Sequence, residues 1–137
     1  MEIPQIDRSN YLKGLLILAK KDCQLTEQEK KIIKHFAKKL GFSSDFYNET
    51  IENLLANKYI GEEPIKFSNR KIAKSFLEDG IRLIISDNFP DESEINWMLQ
   101  TAELNSIEKD WLEQKISDFK SKPRSFPVTE FALYSLI

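Results

Sequence analysis

The stretch DCQLTEQE, residues 22–29, has a counterpart in DNFPDESE, residues 87–94, displaced by sixty-five positions. In each, an Asp (Asp22, Asp87) closes an apolar helical run and a short loop follows. A capping residue (Thr26, Asp91) then opens the next run, which a Glu (Glu29, Glu94) enters seven positions after the Asp. Thr26 and Glu29 form a capping box: the hydroxyl accepts from a free backbone N–H, and the carboxylate reaches back to the Thr N–H. At the same offset Leu18 matches Leu83, Ile32 matches Trp97 and Ala37 matches Ala102. The chain reads as a doubled helix-loop-helix.

Upstream of the first copy, Ser9 or Asn10 is placed to cap a helix running to about residue 21. At roughly 100° per residue, Leu12, Leu15, Leu16 and Ala19 share a face, Tyr11 and Leu18 flank it, and Asp22 falls within its arc. The second helix buries Ile32, Ile33, Phe36, Ala37 and Leu40 and stops at Gly41. Lys30, Lys31, Lys34, His35 and Lys38 lie mostly on its other side. Ser43, Ser44 or Asp45 caps a third helix carrying Phe46, Tyr47, Ile51, Leu54 and Leu55. The segment KYIGEEPIKFSN, residues 58–69, reads as an ordered connection between halves, with Tyr59, Ile60, Ile65 and Phe67 pinned to the core.

A fourth helix over 69–86 buries Ile72, Ala73, Phe76, Leu77, Ile81, Leu83 and Ile84, and Gly80 on that side marks the close approach of another helix. The fifth carries Ile95, Trp97, Met98, Leu99, Thr101, Ala102 and Leu104, with Glu94 inside the apolar arc. Asn105 and Ser106 end it, and a sixth follows with Ile107, Trp111, Leu112, Ile116 and Phe119. The tail, FPVTEFALYSLI, is too apolar for a solvated end and is expected to add a seventh helix or to dock on another subunit. The expected fold is all-α: one domain, residues 1–137, as a compact bundle of six to seven helices. Its pseudo-repeated halves span about 10–57 and 69–119, with a tail from 121.

Composition agrees. Of 137 residues, 41% are hydrophobic and 31% charged, and only four glycines and five prolines interrupt them. Twenty basic against twenty-two acidic residues give a net charge of −2, so no global field recommends nucleic acid as a partner. Cys23 is the sole cysteine, which leaves no internal disulfide and suits a reducing cytoplasm. No basic-then-apolar leader and no run long enough for a bilayer span is present, so no integral membrane segment is expected.

The doubled pattern, an alanine-bearing helix ending in Asp, a small loop, then Thr or Asp followed by Glu, resembles the TerB-like domains of tellurite-resistance proteins. The resemblance covers residues 11–119. Cys23 and Asn88 stand where that family's motif usually has glycine; Asn adopts left-handed geometry tolerably and Cys poorly. The resemblance implies a compact helical domain whose motif acids cluster around a divalent metal. It also implies a stress-response role in membrane-linked complexes, and no enzymatic activity.

From the residues themselves, Asp22, Glu29, Asp87 and Glu94 are the candidate metal ligands. Carboxylates converging in a partly dry site raise one another's pKa unless a cation or hydrogen-bond donors compensate. Four carboxylates with no His or Cys favour a hard ion, Mg²⁺, Ca²⁺ or Mn²⁺. The plainer reading is that each Glu completes its capping box and each Asp accepts N–H groups of its own loop. The lysine stripe on the second helix reads first as a solvated face, because no aromatic residues interleave it. His35, alone and on the polar side, supports no catalytic triad, and Asp22 beside Cys23 disfavours the thiolate. Three functions follow: a non-enzymatic TerB-like module that binds metal or scaffolds a stress response, a protein-interaction adaptor or homodimer with purely structural acids, and a metal-dependent hydrolase with an open cleft beside the acids.

Overall fold

Pro4 sets where the first helix begins. It has no N–H to leave unsatisfied, and its carbonyl accepts the Arg8 N–H at 3.0 Å. The computed structural model describes residues 3–21, 27–43, 45–49, 52, 63–85 and 92–120. Helix α1 spans Gln5–Lys21, α2 Glu27–Lys39, α3 Arg70–Ile85, α4 Glu92–Leu104 and α5 Lys109–Lys120. Residues 45–49 are also helical, and no strand occurs among the described residues. The all-α expectation holds. The start of α1 does not follow Ser9 and Asn10, however: Pro4 and the first-turn Asp7 supply the start signal more than a turn earlier.

Helix α1 is enclosed on all sides over residues 14–19. Tyr11, Leu12 and every residue from 14 to 19 are buried, including Ile17, because α1 packs against α2, α3 and α4 together. Helix α3 is the other central element, touching α1, α4 and α5. Gly80 marks the close approach expected of it: a Cβ there would lie 2.8 Å from Leu18 Cδ1 of α1. Gly14 plays the reciprocal part on α1, where a Cβ would overlap the Phe76 ring. Rings fill the centre of this crossing. Tyr11 meets Phe76 edge-on with centroids 5.4 Å apart, Phe67 lies 5.2 Å from Phe76, and Trp97 lies 6.0 Å from it.

Helices α2 and α4 end alike. Gly41 takes φ 94°, Phe42 N–H donates to Ala37 O at 2.9 Å, and Gly41 N–H donates to Lys38 O at 3.1 Å. Ser106 takes φ 58°, Ile107 N–H donates to Ala102 O at 2.9 Å, and Ser106 N–H donates to Glu103 O at 3.1 Å. Both are Schellman caps. Each residue in the second set lies sixty-five positions after its partner in the first. The helix bounds repeat the offset: α1 begins at Gln5 and α3 at Arg70, and α2 and α4 run Glu27–Lys39 and Glu92–Leu104.

Other starts are capped as their residue types dictate. Asn69 Oδ1 accepts Ile72 N–H at 2.9 Å at the head of α3, and Ser43 Oγ accepts Phe46 N–H at 3.1 Å, which selects Ser43 among the three candidates there. In the connection, Ile65 and Phe67 are buried as expected. Thr26, Asp91, Ile51, Leu54, Leu55, Tyr59, Ile60 and the tail lie outside the described residues.

Candidate functional site

Glu94 is 2% exposed at the third position of α4. A carboxylate in a first helical turn is favoured by the free N–H groups and the positive end of the helix dipole. Burying it so deeply requires compensation from donors or a cation. Glu29 occupies the same third position of α2. The Glu29 side chain, Asp22 and Asp87 lie outside the described residues, so of the four candidate ligands only Glu94 has its surroundings described. Among the described residues no three His, Cys, Asp or Glu side chains group as metal ligands.

A second set of buried charges sits at the α1–α3 crossing. The Tyr11 hydroxyl donates to Asp79 Oδ2, and Arg82 Nη1 donates to Asp79 Oδ1 at 3.2 Å. The Arg82 guanidinium lies 4.7 Å from the centre of the Phe119 ring and 4.0 Å from Glu78, which in turn pairs with Lys115 at 3.4 Å. The chain of charges thus runs from the middle of the molecule outward to α5. Burial pushes the Tyr11 phenol well above its ordinary pKa, and the neighbouring Asp79 carboxylate pushes it further. Tyr11 and Asp79 are each 0% exposed, so neither is placed to exchange a proton with a bound substrate. Their role is to specify how α1 and α3 cross.

Two more buried polar groups hold the segment over residues 65–68. Asp7 accepts the Ser68 N–H at 2.9 Å and also the Ser68 hydroxyl. Asn105 donates to Ile65 O at 2.7 Å and Thr101 O at 2.8 Å, and it accepts the Phe67 N–H at 2.8 Å. Each clamps the segment that leads into α3. Asp79 and Asp7 were signalled in the sequence, since 72, 76, 79, 83 and 7, 11, 15, 18 are continuous helical stripes in which one acid interrupts the apolar residues. Asn105 gave no such signal, because Asn before Ser at a helix end reads as a stop.

A groove of about 530 Å³ opens beside α4, lined by Asn96, Leu99, Gln100, Glu103, Ile107 and Lys109. Glu94, the described member of the four candidate metal ligands, does not line it. No helix among the described residues is long and apolar enough to cross a membrane. No family model, curated protein or solved structure matches the chain.

Proposed function

We propose that this chain is a TerB-like helical module that holds a divalent cation among Asp22, Glu29, Asp87 and Glu94 and serves as a non-enzymatic stress-response scaffold. The observation that carries the reading is the enclosure of Glu94 at the third position of α4, in register with Glu29 of α2. The matched helix bounds and matched Schellman caps support the doubling on which convergence of the acids depends.

The donor set is all oxygen and anionic, which fits Mg²⁺, Ca²⁺ or Mn²⁺ and not a thiophilic ion. Such a cation would neutralise mutually repelling carboxylates and fasten the first half to the second. Calorimetric titration with Mn²⁺ tests this on the wild type, Glu29→Gln and Glu94→Gln. Gln keeps the capping-box hydrogen bond, so the exchange removes charge with little change to the cap. The reading predicts one saturable site per chain, weakened about tenfold or more by either change, as loss of a charged ligand implies. No saturable binding by the wild type, or equal binding by all three proteins, returns the acids to a purely capping role.

A further inference from the structure

Helix α2 turns Lys31, Lys34, His35 and Lys38 to solvent. Lys30 is paired with Glu27 at 3.2 Å, but Lys31, Lys34 and Lys38 have no ion-pair or hydrogen-bond partner among the described residues. Two lysines of α5 are paired, Lys109 with Glu113 at 3.7 Å and Lys115 with Glu78 at 3.4 Å. Spaced three and four apart, the α2 lysines stack on one side and repel one another. The helix dipole rewards Lys38, in the last turn, but not Lys31 or Lys34.

The fold itself does not demand this face. Sixty-five positions later, α4 carries Asn96, Leu99, Gln100 and Glu103 at the corresponding places, with no base among them. Just beyond the C-terminal end of the stripe, Phe46 is 46% exposed, with its ring stacked on Phe42 at 5.0 Å and 18°. The Ser43 cap fixes the backbone that carries it. A stacked aromatic pair thus follows the lysine-bearing helix in the chain.

Charge is also unevenly spread along the chain. Residues 1–43 hold nine basic and five acidic residues, and residues 44–137 hold eleven basic and seventeen acidic. At physiological ionic strength, screening acts over about 8 Å. A short acidic segment lying along α2 therefore feels the lysines and little else. A nucleic acid or an anionic bilayer extends past the helix, and the chain's net charge of −2 does not favour it.

We infer that the Lys31, Lys34 and Lys38 face of α2, ending at the Phe42 and Phe46 rings, is a docking surface for an acidic segment of a partner protein. That segment carries carboxylates three to four residues apart on a helix and an apolar residue at one end. The surface requires no metal and is independent of the carboxylate site.

Fluorescence anisotropy tests it with a labelled helical peptide bearing glutamates at that spacing and a terminal leucine. A lysine-for-glutamate version, a single-stranded oligonucleotide and vesicles of phosphatidylserine are the competing probes. The glutamate peptide is expected to bind best, and more weakly as salt rises. The triple change Lys31→Glu, Lys34→Glu, Lys38→Glu is expected to weaken it by about tenfold or more, since three favourable pairs become repulsive. Phe46→Ser weakens it severalfold with the salt dependence unchanged, and Lys109→Glu on α5 leaves it as it was. The inference is overturned by equal binding to the triple variant, or by tighter binding of the oligonucleotide or vesicles. Absence of peptide binding at low salt overturns it too, as does a dimer that only the triple variant loses and the peptide does not compete with.

Discussion

Gly14 and Gly80 lie at the same helix crossing but answer to different neighbours. A Cβ on Gly14 meets the Phe76 ring, which is hemmed in by Tyr11, Phe67 and Trp97. A Cβ on Gly80 crowds the far end of Leu18 and makes an ordinary contact with Met98 Sδ at 3.9 Å. Gly14→Ala is therefore expected to destabilise the protein by roughly 1–3 kcal/mol through overpacking. Gly80→Ala should be close to neutral, because the helix propensity gained, about 1 kcal/mol, offsets the shift of one methyl. Urea unfolding of the two variants separates them. Tyr11 gives a prediction in pH. Its phenol is raised in the folded protein by burial and then by Asp79, so above about pH 10 the unfolded chain releases a proton that the folded one keeps. Stability contributed by Tyr11 is thus complete below pH 10 and falls as pH rises beyond it. Tyr47, raised by burial and by Glu27, acts in the same direction. In Tyr11→Phe this alkaline slope should flatten, while at neutral pH the loss of the Asp79 hydrogen bond costs about 1–3 kcal/mol. An unchanged slope between pH 9 and 11 would remove Tyr11 from the account.

At the scale of elements, the C-terminal caps of α2 and α4 carry the most information. Both require a left-handed residue, which Gly41 supplies without cost and Ser106 supplies against the steric preference of an L side chain. Ser106→Gly is expected to stabilise the protein by about 0.5–1 kcal/mol, and Gly41→Ser to destabilise it by about as much. Thermal unfolding checks both signs, and a loss of stability in Ser106→Gly would contradict the cap geometry. The helices themselves were legible in sequence because long apolar periodicity and capping residues agree: α2, α3 and α4 fall within a residue or two of where those signals put them. The start of α1 was not, since Ser9 and Asn10 resemble caps and the competing signal, Pro4 with Asp7, is only two residues. Nor was the all-round burial of residues 14–19 of α1, because how many neighbours a helix has is decided by tertiary packing and not by its own period. Of the buried polar groups, Glu94 was legible as an acid inside an apolar arc. Asp79 interrupts an apolar stripe in the same way, whereas Asn105 gives no such sign because Asn at a helix end reads as a stop.

For the whole molecule, α1 and α3 form the central crossing, and buried polar contacts tie α1, α3 and α4 to one another and to residues 65–68. Asp7 with Ser68 and Asn105 with Ile65 and Phe67 hold the connection in place, and Tyr11 with Asp79 fixes the central crossing. Within that frame the two outer helices differ. α2 presents Lys31, Lys34 and Lys38 without ion-pair partners among the described residues, whereas α4 presents a mixed groove. The proposed cation would act inside, joining what the surface keeps distinct. Cys23 and Asn88 give direct access to that claim, because they follow Asp22 and Asp87 at matched positions. A nitroxide label is placed on Cys23 in one sample, and on Asn88→Cys in a Cys23→Ser background in another. One equivalent of Mn²⁺ is then added to each and the label's resonance is followed. Quenching of both labels to a similar degree by a single bound ion is the predicted result, and quenching of one label alone, or of neither, would contradict a shared centre.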